Sequence, residues 1–152
     1  MIIGVDPGFK GAIAYYTPKS LHIADMPILT LERGGKTKNE IDAHALNKLF
    51  LPYKTASVFV EAVNSMPGQG VSSVFAFGKG YGIILGILAA NSISYTLVPP
   101  QRWKKALNVP AAKDGSRARA SQLLPAYSDL WKRVKDDGRS EAALIALYGS
   151  KQ

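Results

Sequence analysis

Met1-Ile2-Ile3-Gly4-Val5-Asp6-Pro7-Gly8-Phe9-Lys10-Gly11 is an apolar run that stops abruptly on an acid. Its near-continuous hydrophobicity predicts a strand buried on both faces, because only a strand with one wet face alternates. Pro7 and Gly8 end the strand. A carboxylate is therefore delivered to the end of a core strand, beside a packed interior where a charge requires a partner. A metal ion or a phosphate-bearing ligand is one such partner. An aspartate that hydrogen-bonds the following Pro-Gly turn is the plainer reading, and on this stretch alone the two are balanced.

Gly11-Ala-Ile-Ala-Tyr-Tyr16 is a second apolar run, Pro18-Lys-Ser20 a turn, and Leu21 to Ile28 a third strand with partial alternation. Residues 1–28 are thus expected to form an antiparallel meander. Glu32 to Lys38, with Gly34, Gly35 and the cations Arg33, Lys36 and Lys38, reads as an exposed loop. Asn39 is the expected cap of a helix carrying Ile41, Ala45, Leu46, Leu49 and Phe50 at helical spacing until Pro52. Ala56-Ser-Val-Phe-Val-Glu61 is a second buried strand, and it too ends on an acid. A right-handed crossover through the intervening helix makes this strand parallel to the first, so that Asp6 and Glu61 leave the same sheet edge.

Ala62 to Gly70 is a loop, and Val71 to Ala90 a long helix in which Gly78, Gly82 and Gly86 recur every fourth residue. Each glycine costs a helix about 1 kcal/mol relative to alanine. Their bare face therefore calls for close packing, on the sheet or across a dimer interface. Lys79 interrupts the segment, and its apolar stretch is read as short of the roughly 20 residues of a membrane span. Ile93 to Val98 is a strand closed by Pro99-Pro100. The short helix Gln101 to Leu107 sets Arg102, Lys104 and Lys105 around Trp103, a core anchor or a nucleic-acid contact. Lys113 to Leu124 forms another helix, bearing Arg117 and Arg119. The last starts near Asp136 and runs to Tyr148, with Asp137 and Glu141 sharing a face near its positively polarised end. Ordinary capping explains such acids equally well.

A chain of 152 residues makes one domain, 1–152, with a core of its own. Without cysteine, and with only His22 and His44, a thiolate or histidine-rich metal site is excluded. Any ion must be held by oxygen, which favours Mg²⁺ or Mn²⁺. A net charge of +8, from 19 Lys plus Arg against 11 Asp plus Glu, points to a polyanion, nucleic acid before membrane. The N-terminus has no signal-peptide pattern, so a cytoplasmic protein is expected.

Taken in order, Gly4-Val-Asp6-Pro-Gly8, Val60-Glu61, Phe77-Gly-Lys-Gly-Tyr-Gly82, Val98-Pro-Pro-Gln-Arg-Trp-Lys104, Lys113-Asp114 with Arg117, and Asp137 to Ala146 span nearly the whole chain. This series resembles the RuvC family of Holliday junction resolvases, notably its small phage-type members in bacteria or phage-infected cells. The resemblance implies an α/β, ribonuclease H-like fold: a mixed five-stranded sheet, three strands antiparallel and the rest parallel, flanked by helices. It also implies a homodimer that nicks branched DNA symmetrically, by hydrolysis assisted by two Mg²⁺ or Mn²⁺ ions. Asp6, Glu61 and Glu141 match the family's metal-binding acids, with Asp137, or its neighbour Asp136, as the fourth. In the best-known bacterial members the last two acids are three residues apart, and here that place holds Gly138. Lys104 and Lys113 are candidates for steadying the developing charge. Lys36, Lys38, Arg102, Lys104, Lys105, Lys113, Arg117 and Arg119 would grip phosphates, which positions DNA without reading its sequence. The loop 64–70 would probe the junction centre, and the helix 71–90 would form the dimer interface. Two rivals keep the fold: a DNA-binding protein without catalysis, and a nuclease acting on RNA. A sugar-kinase or actin-like ATPase would need two such domains, more than 152 residues supply.

Overall fold

The computed structural model describes residues 1–64, 68 and 70–152, apart from the side chains of Arg33 and Lys36. Of the loop expected to probe a junction, residues 65–67 and 69 thus lie outside the described residues. So does the Lys36 side chain.

The opening strand β1 (Ile2–Asp6) pairs antiparallel with β2 (Ala12–Thr17), which pairs antiparallel with β3 (Ser20–Asp25). On its other side β1 runs parallel to β6 (Ser57–Glu61), and β6 parallel to β7 (Tyr95–Val98), giving the order β3-β2-β1-β6-β7. This is the mixed five-stranded sheet that the sequence led us to expect.

The segment read as a loop is instead a hairpin, β4 (Ile28–Arg33) and β5 (Lys36–Ile41), separate from the main sheet. Its turn places Gly34 and Gly35 at φ 59° and 70°, two consecutive left-handed residues of the kind tight hairpins demand. The hairpin escapes detection because neither strand lies in the main sheet, so its sequence carries no clean apolar alternation. It also moves the helix start. With Asn39 in β5, Asp42 is the cap of α1 (Ala43–Phe50), accepting the Ala45 N–H at 2.9 Å.

The remaining helices are α2 (Val71–Ala90), α3 (Pro100–Ala106), α4 (Gly115–Leu123) and α5 (Asp137–Gly149), with two 3₁₀ segments, Pro125–Trp131 and Val134–Asp136, between α4 and α5. They cover both faces of the sheet. Ile3, Val5, Val58 and Val60 point into a core with Leu46 and Phe50 of α1 and Ile84 and Leu88 of α2. Phe59 points the other way, into a core with Trp103 and the Ala142–Tyr148 run of α5. Gly4 shares that second face, since side chains alternate along a strand. A Cβ on Gly4 would overlap the Ala142 carbonyl oxygen and lie 2.9 Å from Ala146 Cα. The bare glycine thus lets α5 lie directly on β1.

The 20-residue α2 corrects the reading of its apolar stretch as too short, because by length and composition it suffices to cross a membrane. Its buried stripe, Gly80, Ile84 and Leu88, nonetheless faces the sheet core. Gly78, Gly82 and Gly86 face away, and a Cβ on any of them meets nothing within 4 Å. Packing of this glycine row on the sheet, one of its two expected uses, is therefore excluded.

Candidate active site

Alternation and register bring the first two acids together. The pairing Gly4↔Phe59, Val5↔Val60 leads at its next step to Asp6 beside Glu61, both on the α5 face. Contact between α5 and Gly4 then sets Glu141, the residue before Ala142, above the strand ends. One carboxylate oxygen each from Asp6, Glu61 and Glu141 lie within 4.8 Å of one another.

This crowding has an electrostatic cost. Burial, with repulsion from Glu141 and Glu61, pushes the Asp6 carboxyl up to about 7. Burial likewise raises Glu61, partly offset by the hydrogen bond from Trp103. The donor set fits a hard divalent cation: it is all carboxylate oxygen, it converges, and its negative charge is poorly compensated by the protein.

Each acid is held differently. Among the described residues, Asp6 accepts a long bond from the Gly8 N–H, 3.4 Å, so the turn-capping reading of this aspartate describes a weak contact. Glu61 accepts from the Trp103 indole at 3.0 Å. Glu141 accepts from Ser116 Oγ at 2.8 Å and has Lys104 Nζ at 3.0 Å. The Lys104 ammonium also sits 5.1 Å from the Trp103 ring centre. Trp103 is thus both the core anchor of α3 and a neighbour of the site. Ser116 left no sequence signal, since a serine in a first helical turn reads as capping.

The other predicted site residues are placed elsewhere or differently. Asp137 lies outside the three-acid group, with Oδ1 2.5 Å from Arg117 Nε. Asp136 is buried and clasped by Arg133 at 2.9 Å through both oxygens, which lowers its carboxyl to about 2. Gly138 lies against the site: a Cβ there would overlap the Lys10 carbonyl oxygen and lie 3.0 Å from Asp6 Oδ2. A side chain at this position is therefore excluded without backbone movement. Among the predicted phosphate contacts, Lys38, Arg102, Lys105 and Lys113 are exposed. Arg117 serves Asp137, and Arg119 ties α4 to α3 through the Leu107 carbonyl at 2.6 Å.

Fold and site together define a ribonuclease H-like fold in which two acids end the central strands and a third, Glu141, is set beside them by α5. No protein-family model matches the chain. The chloroplastic Holliday junction resolvase MOC1 of Chlamydomonas reinhardtii is 32% identical over 92 residues, 59% of this chain. The chain spans about a tenth of that relative, the matched part being 10% of its length. Thermus thermophilus RuvC superimposes with a TM-score of 0.58 at 15% identity, covering 98% of this chain and 92% of that one. The same protein in complex with Holliday junction substrate gives 0.59 at 14% identity and the same coverage. The RuvC-like fold is thereby shown.

Proposed function

We propose that the chain is a metal-dependent, structure-selective DNA endonuclease that resolves Holliday junctions or related branched DNA. The observation that carries this is the convergence of Asp6, Glu61 and Glu141 at the ends of two parallel strands. The resolvase relative and the RuvC–junction complex support the choice of substrate. The three acids would hold Mg²⁺ or Mn²⁺, as one ion or a pair. A bound divalent ion supplies an activated water and neutralises charge building on the attacked phosphate. The protein contributes aimed carboxylates and the nearby Lys104 ammonium, which adds positive charge at the scissile group. Exposed Lys38, Arg102, Lys105 and Lys113 would hold the DNA arms by their phosphates.

We further propose that the active form is a two-fold homodimer, matching the symmetry of a four-way junction. The outward Gly78, Gly82 and Gly86 row, flanked by Val71 and Phe75 at 87% and 73% exposure, supports α2 as the interface. A second copy accounts for this apolar face in a chain of charge +8 with nucleic-acid chemistry.

The test is to incubate the protein with labelled junction, fork, duplex and RNA–DNA hybrid in Mg²⁺ and to map the cuts. Paired symmetrical nicks in the junction, abolished by Asp6→Asn or Glu61→Gln while binding persists, are expected. Tight junction binding without cleavage in Mg²⁺ or Mn²⁺ would establish a non-catalytic binder instead, and cleavage confined to the hybrid would move the substrate to RNA.

A further inference from the structure

We propose that Trp103 is a positioning residue: its indole N–H fixes the Glu61 carboxylate for ion binding. This rests on the reading that the three acids hold a divalent ion.

The placement follows from the backbone. Glu61 pairs with Val98 at the end of the parallel β6–β7 ladder. Pro99 and Pro100 then stop the strand and start α3 at once, Pro100 taking the first helical position. One helical turn later Trp103 lies over the end of β6, fully buried between α3 and α5. An indole N–H can only donate, and at that depth it needs an acceptor. Its acceptor is Glu61 Oε1, at 3.0 Å.

The chemistry of this donor suits a metal ligand. A lysine or arginine at the same place would neutralise Glu61 and compete with an incoming cation. The neutral indole instead occupies one lone pair, sets the plane of the carboxylate and leaves its charge for the ion. Glu61 is therefore pre-aimed, whereas among the described residues Asp6 has a long backbone bond from Gly8. A phenylalanine keeps an aromatic ring in the core, at the cost of the small cavity left by the lost second ring; what it cannot supply is the N–H. Loss of such an outer partner typically weakens metal binding about 10- to 100-fold.

With two tryptophans, ¹H–¹⁵N spectra of the intact protein carry two indole signals, assignable with Trp103→Phe and Trp131→Phe. On titration with Mg²⁺, the Trp103 indole signal should move while that of Trp131, which donates to Ser121 Oγ, stays in place. Calorimetric titration with Mn²⁺ should show Trp103→Phe binding about 10-fold or more weakly at unchanged circular dichroism. Should Trp103→Phe fail to fold, Glu61→Gln provides the second arm. There the Trp103 signal should move upfield, because its acceptor is no longer charged, and lose its response to Mg²⁺. The proposal is overturned if signals around Asp6 respond to Mg²⁺ while Trp103 does not, or if Trp103→Phe binds Mn²⁺ like the wild type. Absence of any response to either ion would overturn the metal reading itself.

Discussion

Asp6 is the residue on which charge and function meet. Its carboxyl stands at about 7 rather than near 3.8, so the folded protein holds this proton more tightly than the unfolded chain does. In the metal-free protein its contribution to stability is fully present below pH 4 and is lost as pH rises towards 7. Glu61 is raised in the same direction. Metal-free melting temperature should therefore fall between about pH 4 and 7, and Asp6→Asn should flatten the fall. At pH 8, without metal, we expect this variant to melt about 3–6 °C higher than the wild type, on the order of 1–2 kcal/mol. Added Mg²⁺ should stabilise the wild type and leave the variant nearly unchanged; an unchanged metal-free melt would show that the acids do not repel as described. Asp137 offers the contrast. Since it pairs with Arg117 at a partly exposed site, Asp137→Asn should cost no more than about 1 kcal/mol in thermal melts and leave Mn²⁺ affinity within about 2-fold.

Among the elements, α5 and α2 use small residues in opposite ways. Helix α5 is buried along its length, and its seat on β1 depends on Gly4 beneath Ala142 and Ala146. Its first turn presses Gly138 on the Lys10–Gly11 backbone, 2.7 Å from where a Cβ would stand to Gly11 Cα. Gly138→Ala should thus destabilise by about 2–3 kcal/mol, read as a lowered denaturant midpoint, with loss of metal binding as Glu141 is displaced. Gly138→Asp, which would restore the three-residue spacing of the bacterial family, should fare no better, because backbone and not side chain blocks it. On α2 the glycines at 78, 82 and 86 have open space outward, and an isolated chain should gain up to about 1 kcal/mol from each change to alanine.

For the whole molecule, the proposed two-fold dimer would turn that gain into a loss. Gly82→Glu should leave the fold intact by circular dichroism and give a monomer by light scattering, whereas the wild type should give twice the chain mass. The monomer should then nick junctions singly instead of in symmetrical pairs. A wild-type monomer at cleavage-competent concentrations would remove α2 from this role. Junction affinity, resting on phosphate contacts in a chain of +8, should fall steeply and linearly on a log–log salt plot.

The sequence alone determined the sheet and two of the acids, because buried parallel strands announce themselves as unbroken apolar runs and Asp6 and Glu61 each end one. Glycine spacing in α2 and the final helix were legible for the same reason: periodicity survives in one dimension. The 28–41 hairpin was not, because strands outside the main sheet carry no apolar period, and the true cap Asp42 was hidden with it. Only the tertiary structure decided the company each acid keeps. It turned Asp136 to Arg133 and Asp137 to Arg117, closed position 138 with backbone, and brought Trp103, Lys104 and Ser116 onto Glu61 and Glu141. The contacts of Trp103, Lys104 and Ser116 with Glu61 and Glu141 join residues 25 to 42 positions apart, set by strand register and helix packing, whereas the Arg133–Asp136 pair is local, three residues apart.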